Sequence, residues 1–300
     1  MMDSLDKEIL TILDQNCRVS YRFIGDKVGI SANAVRKRIE GLIEDEIIVK
    51  FYLMPRNVMV DANAFFAHVI TDGTENMEEF FSSFEHIQEV AHLSKLSYGN
   101  RGAYFATGTY QTAHGILNVT NKIRSLPNVL DVQFHPSLNV PGNKITLTSL
   151  QKRVLMILKE NPRAAISEIA SSSGLTPRRV RRVVDELMES NAFHFTVRWN
   201  LASKDLIQIF VFIHLKPEVE YEKFLEWWLE ENQNETWAIL PSATKPLIVI
   251  QLVVESLPKA NLLLTTLNDS EFTTEIHDYV VYTTRKYPWL GEKLLEELLK

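Results

Sequence analysis

The chain has 300 residues, of which 45% are hydrophobic and 23% charged, and a formal net charge of -6. That length exceeds a usual single domain, the composition is that of a globular chain, and the acidic balance excludes a protein that coats nucleic acid indiscriminately while leaving room for a local basic patch. The single Cys17 excludes an internal disulfide and fits a reducing, cytoplasmic setting; no apolar run approaches the roughly 18 residues that span a bilayer, and the opening "MMDSLDKEIL" lacks the basic-then-apolar pattern of a secretory leader.

In chain order, the first fifty residues read as three helices and a strand. Ser4 or Asp6 can open the first helix, with Ile9, Leu10, Ile12 and Leu13 on one face. A short second helix starts near Ser20, carries Phe23, Ile24 and Val28, and is closed by Gly29 in a left-handed conformation. Ser31 caps a third helix whose core face is Val35, Ile39 and Leu42, which leaves Asn33, Arg36, Lys37 and Glu40 mainly on the exposed face. "EIIVKFYL", from Glu46, has the composition of a strand that edges a wing.

The same pattern returns 145 residues later without a gap. Leu5, Ile9, Leu10 and Leu13 fall on Leu150, Val154, Leu155 and Leu158. Arg18 falls on Arg163, Gly29 on Gly174, Ser31 on Thr176, and Arg36 on Arg181. Thr176 precedes Pro177, the favoured first-turn residue, and "RRVRR" from Arg178 makes the second copy more basic than the first. Two helices joined by a glycine turn, the second of them basic, form a helix-turn-helix. It presents its second helix to the major groove of duplex DNA, where Arg and Lys reach guanine edges or phosphates. The candidate DNA-binding residues are therefore Ser31, Asn33, Arg36, Lys37 and Arg38, and in the second copy Thr176, Arg178, Arg179, Arg181 and Arg182. Asn33, Arg36 and Lys37 are expected to face the groove and Arg38 to lie nearer the DNA backbone.

Several of these motifs together resemble the N-terminal domain of Lrp/AsnC-type (leucine-responsive regulatory protein) transcription regulators. They are Leu5-Asp6, Ile9-Leu10, Arg18-Val19-Ser20, the Val28-to-Ser31 turn, Arg38-Ile39-x-x-Leu42 and the Ile-Ile and aromatic strand that follow. The second copy departs from the pattern, with Val183 in place of Arg38 and "ESNAFHF" in place of "EDEIIVKF".

Beyond each helix-turn-helix the pattern predicts strand, helix, strand, strand, helix, strand. In the first half these are "ANAFFAHVI", "TENMEEFFSSFEHI", "EVAHLSKLS", "GAYFATGTY", "TAHGILNVTNKIRSL" and "VLDVQFHP". In the second they are "IQIFVFIHL", "YEKFLEWWLEEN", "ETWAIL", "PLIVIQLVV", a helix from about Pro258, and "EIHDYVVYTT". That β-α-β-β-α-β order is ferredoxin-like. The expected fold is α+β, with winged helix-turn-helix domains at 1–55 and 146–200 alternating with ferredoxin-like domains at 60–142 and 205–300. The tail "PWLGEKLLEELLK" is an amphipathic helix expected to dock on that last domain.

The resemblance implies that the ferredoxin-like domains sense a small-molecule effector, such as an amino acid, and pair through their sheets. It places a ligand-contributing loop at Gly99, Asn100, Arg101 and Gly102, although the Asp of the family's Gly-aromatic-Asp signature is missing here. Two copies of each domain in one chain leave two arrangements open, an intramolecular pseudo-dimer or a homo-oligomer. No His/Cys/Asp/Glu group has metal-ligand spacing, and no catalytic residues or cofactor are expected. Double-stranded DNA is the expected partner and no membrane is. A siroheme decarboxylase-like enzyme on the same domain plan is the alternative reading; its aromatic strand signature is absent from "AYFATG".

Overall fold

A computed structural model describes residues 3–200 and 206–300; the expected boundaries at 1 and 205 lie outside the described residues. The first half runs α1 (Ser4–Gln15), α2 (Tyr21–Val28), α3 (Ala32–Glu44), β1 (Ile48–Pro55), β2 (Asn63–Thr71), α4 (Met77–Ser83), β3 (Val90–Leu96), β4 (Gly102–Tyr110), α5 (Ala113–Arg124) and β5 (Val129–Pro136). The second runs α6 (Ser149–Glu160), α7 (Ile166–Ser173), α8 (Pro177–Glu189), β6 (Phe193–Trp199), β7 (Ile207–Leu215), α9 (Tyr221–Asn232), β8 (Thr236–Pro241), β9 (Leu247–Val254), α10 (Leu257–Asn268), β10 (Thr273–Lys286) and α11 (Leu290–Leu299).

These elements gather, like with like, into two compact units. One holds both helix-turn-helix segments and the tail (Met1–Asp61, Val140–Lys204, Gly291–Lys300); the other holds both ferredoxin-like segments (Ala62–Asn139, Asp205–Leu290).

In the helix-turn-helix unit each three-helix module buries its own apolar stripe: Ile9, Leu10, Leu13, Ile24, Val35 and Ile39 in the first, Val154, Leu155, Leu158, Ile169, Val180 and Val184 in the second. The wings then pair with each other: β1 lies antiparallel to β6, with Phe51 opposite Val197 and Tyr52 opposite Thr196. Shifting both members of the first pair by the 145-residue repeat yields the second pair, so the ribbon has a local twofold axis. Side chains repeat the exchange. Arg18 donates to the carbonyl oxygens of Pro162 and, at 3.1 Å, Ala164; its equivalent Arg163 donates to the carbonyl of Cys17 at 2.8 Å. Arg163 also lies over the rings of Tyr21 and Phe51, 4.9 and 5.0 Å from their centroids. Such reciprocity, with residue i touching j and j's equivalent touching i's, is the signature of an isologous interface, here within one chain.

The tail helix α11 is not on the last ferredoxin-like domain as expected. It packs on the helix-turn-helix unit, where Glu292 accepts a 2.7 Å hydrogen bond from the Tyr52 hydroxyl and Glu296 a 2.8 Å bond from Lys159. Leu294, Leu295 and Leu299 of the tail are buried, and its hydrogen-bond partners lie 240 and 137 residues earlier in the chain.

The other unit is an eight-stranded sheet in the order β5-β2-β4-β3-β10-β7-β9-β8. Each ferredoxin-like half contributes four strands, and β10 joins them because it is 14 residues long: its first part pairs with β7, and its end pairs with β3. At the opposite edges Ser137 bridges Ser242, flanked by hydrogen bonds from the Leu138 amide to the Pro241 carbonyl and from the Ala243 amide to the Pro136 carbonyl at 3.0 and 2.8 Å. Buried clusters lie on both faces of the sheet. Phe65, Ala67 and Val69 face the core that holds Val119 and Ile123 of α5, and Ile209, Val211 and Ile213 the core of Phe224, Trp228 and Leu263 from α9 and α10. The alternate residues Phe66, Ile70, Phe105, Phe210, Phe212 and Val249 meet in a third, inner cluster.

His68 and His135 sit at this inner layer, 5% and 4% exposed, with His68 against Phe212 and His135 stacked on Phe66. Burial lowers both imidazole pKa values from 6.5 to about 4, with Lys245 adding to the effect at His135. The unfolded chain takes up protons at these sites from pH 6.5 downward while the folded chain resists until about pH 4. Stability present above the upper value is therefore lost as pH falls through that window, at up to roughly 1.4 kcal/mol per pH unit per histidine. Urea midpoints measured from pH 7 to 4 are expected to fall accordingly, and the double substitution His68→Phe, His135→Phe to flatten the decline. A second expectation concerns Cys17, which is fully buried, its thiol pKa pushed up to about 11 by that burial despite Arg163 and Arg18. It should be silent to a thiol reagent at pH 8 in the native protein and react fully in denaturant.

Candidate nucleic-acid interface

The α2–α3 turn is shaped by two glycines. Gly29 is left-handed (φ 75°), and a Cβ on Gly25 would run into the Ile30 carbonyl where the chain doubles back. The Ser31 hydroxyl accepts from the Ala34 amide at 3.2 Å and opens α3. With Val35, Ile39 and Leu42 buried, Asn33, Arg36 and Lys37 are all exposed on the opposite face. Arg36 Nε lies 2.8 Å from Glu40 Oε1, a solvent-screened, exposed i,i+4 pair that a phosphate or a guanine edge can displace.

The second copy is built alike. Gly174 is left-handed (φ 66°), the Thr176 hydroxyl accepts from the Arg179 amide at 3.4 Å, and Pro177 occupies the first turn of α8. Val180, Val183, Val184 and Leu187 are buried, and Arg178, Arg179, Arg181 and Arg182 are all exposed. Arg182 pairs with Glu186 at 2.8 Å in the same i,i+4 geometry. Four exposed cations within one and a half turns, at the positive end of a helix dipole, form a strongly anion-seeking surface.

Arg38 stands apart. Its Nη1 donates to Asp3 Oδ2 and Asp6 Oδ1, both at 2.8 Å. Asp3, not Ser4 or Asp6, is the N-cap of α1, in a reciprocal capping box with Asp6. Arg38 thus ties α3 to the start of α1 and is occupied in doing so. Its counterpart Val183 is 3% exposed and packs at the matching place as an apolar side chain. The sequence pattern points to Ser4 or Asp6 and misses the Asp3 cap; it also misses the role of Arg38, whose partners lie 32 and 35 residues away.

Gly99 to Gly102 form the loop between β3 and β4 and its exit; Asn100 and Arg101 are exposed, and Gly102 is buried. A Cβ on Gly102 would collide with Thr71 and Glu75. The Glu75 carboxylate accepts from the Thr71 hydroxyl at 2.7 Å and the Tyr104 hydroxyl at 2.9 Å, with Lys95 Nζ 3.5 Å away. Burial alone would raise its pKa, but these bonds and the Lys95 charge outweigh burial and hold it below the usual carboxylate value. Nothing in the sequence pattern singles out this acid, whose partners are close only in the folded sheet. In the second half the matching loop, 242–246, borders an open cleft of about 320 Å³ lined by Leu215, Tyr221, Glu222, Ser242 and Lys245 among others.

Two family models match the chain. An AsnC-type helix-turn-helix domain covers residues 2–43, and a winged helix-turn-helix DNA-binding domain covers residues 147–191. The chain is 32% identical over 149 residues to the HTH-type transcriptional regulator Ptr1 of Methanocaldococcus jannaschii, covering 49% of this chain and 91% of that protein. Over 48 residues it is 48% identical to the HTH-type transcriptional regulator LrpA of Pyrococcus horikoshii, covering 16% of this chain and 34% of that one. Its fold is similar to that of the siroheme decarboxylase NirDL along almost its whole length, with a TM-score of 0.57 at 14% identity, covering 99% of this chain and 97% of that one. At that identity the likeness speaks to fold alone. The similarity to Ptr1 spans nearly all of that regulator, and it joins the capped, glycine-turned helices described above: the chain belongs to the Lrp/AsnC family of transcriptional regulators.

Proposed function

We propose that the protein is a sequence-specific DNA-binding regulator of transcription, acting in the cytoplasm, in which α3 and α8 both engage duplex DNA and the ferredoxin-like unit takes a small-molecule effector. The observation that carries the reading is the recurrence, in one paired unit, of the same capped basic helix with its outward face unburied. Asn33, Arg36 and Lys37 are the base-reading candidates of the first copy. Arg178, Arg179, Arg181 and Arg182 are the DNA-contacting candidates of the second, with Ser31 and Thr176 fixing the two helix starts. For the effector, support comes from the Gly99–Gly102 loop and from the cleft beside Tyr221 and Lys245. Because the wings pair within the chain, an intramolecular pseudo-dimer presents both helices without a second molecule.

A siroheme decarboxylase-like enzyme is the second reading. What favours it is that His68 Nε2 and His135 Nδ1 are buried without a hydrogen-bond partner among the described residues. Against it, the rings of Phe66, Phe105, Phe210 and Phe212 fill that layer, with centroids 4.4 to 5.8 Å apart. A purified protein carrying tetrapyrrole absorption bands favours the enzyme; a colourless one that shifts duplex DNA favours the regulator.

Two variants test the regulator. Arg36→Ala should weaken binding to a selected operator by roughly 5- to 150-fold, the range of one bidentate base contact, and leave binding to random duplex nearly unchanged. Equal weakening on both, in competition titrations, reduces Arg36 to a phosphate-binding role. Replacing Arg178, Arg179, Arg181 and Arg182 together by Ala should flatten the slope of log affinity against log salt by roughly 0.9 for each phosphate no longer neutralised, and shorten the footprint to one half-site. An unchanged slope and footprint remove α8 from the interface.

A further inference from the structure

A dimer of identical chains presents two identical recognition helices, and its operator is accordingly a palindrome. This chain has the twofold scaffold without the identity. The β1–β6 register and the Arg18 and Arg163 exchanges obey the 145-residue repeat, so the two modules are related as two subunits would be. Yet the exposed faces of α3 and α8 differ. At the second helical position, directly after the capped first turn begins, Asn33 in α3 corresponds to Arg178 in α8. Further changes put Arg179 where α3 has Ala34 and Arg182 where it has Lys37. Arg36 and Arg181 keep their identity. None of these differences serves the core, because Asn33, Lys37, Arg178, Arg179 and Arg182 are all exposed.

Residues in the first turn of a recognition helix are the ones that reach base edges. An Asn side chain pairs in bidentate fashion with adenine N6 and N7, and an Arg fork with guanine O6 and N7. Equivalent positions on a symmetric scaffold therefore select different bases.

We propose that this chain reads an asymmetric operator: two unlike half-sites, about one helical turn apart or a multiple of it, bound by a single molecule in one fixed orientation. The α3 half-site carries an adenine where the α8 half-site carries a guanine, the distinction being made by Asn33 and Arg178. The inference rests on the reading that both helices bind DNA, and it adds polarity to that reading. A palindrome is blind to direction, whereas an asymmetric site turns the protein one way round relative to the gene beside it.

The test is selection of binding duplexes from a randomised pool by the full-length chain, followed by quantitative competition. The expected motif has two unlike halves, with the reversed arrangement of either half costing roughly ten-fold in affinity, the size of one bidentate contact. The paired exchange Asn33→Arg with Arg178→Asn, at two exposed sites, should move the adenine preference to the α8 half-site and the guanine preference to the α3 half-site. A selected motif that is a palindrome, or a paired exchange that leaves the motif unchanged, overturns the asymmetric operator while leaving DNA binding intact. Recovery of no motif, with only salt-sensitive binding to every duplex, overturns the regulator reading and this inference with it.

Discussion

The antiparallel pairing of β1 with β6 is the constraint on which the helix-turn-helix unit depends. Left alone, each strand would expose a full row of amide and carbonyl groups, and a two-stranded ribbon is marginal in water. What makes the ribbon stable is that each half's strand is covered by the other half's first helix: α1 packs on β6, and α6 packs on β1. Asp14 of α1 accepts a 2.7 Å hydrogen bond from Thr196 of β6, and the Cys17 amide donates to the Phe195 carbonyl at 2.8 Å. The reciprocal bonds of Arg18 and Arg163 then close the interface at its rim, each charge-assisted and worth roughly 1.5–3 kcal/mol. Each wing is completed by the other half, so α3 and α8 are held on one frame.

The ferredoxin-like unit solves its edge problem by the same device with unequal seams. On one side β10 overruns its own half and forms a ladder with β3; on the other, β5 and β8 meet through the single Ser137–Ser242 bridge. The nearly continuous apolar runs in β2 and β7 follow from this, since one face of each strand meets helices and the other meets the inner cluster.

Features governed by local chemistry were legible in the sequence. Caps at Ser31 and Thr176, left-handed Gly29 and Gly174, and the 3.6-residue stripe through Val35, Ile39 and Leu42 each depend on neighbours within a few positions. Their recurrence identified the repeat. Features governed by distant partners were not legible. The helix expected across "TENMEEFFSSFEHI" ends at Ser83, and a 3-10 turn carries Phe84 into the core. No local signal marks that β10 continues past its own half, because its last residues are ordered by β3, some 190 positions earlier; Thr284, for example, lies opposite Ser94. The tail helix was recognisable as amphipathic, but amphipathicity does not name the surface that will be covered. At the candidate interface the outward residues could be assigned one by one, with Arg38 the exception, since an arginine on a helix does not reveal which carboxylates will reach it.

Carrying both wings in one polypeptide also changes how such a regulator responds to its own abundance. Two separate subunits must find each other first, so the concentration of paired protein falls with the square of dilution once they dissociate. A tethered partner is present at an effective concentration of order millimolar however few molecules a cell holds. On the proposed reading of one chain as a pseudo-dimer, the β1–β6 ribbon stays closed at any copy number, and filling of a binding site rises with the first power of protein concentration. Sharpness in the response must then come from some step other than assembly of the pair.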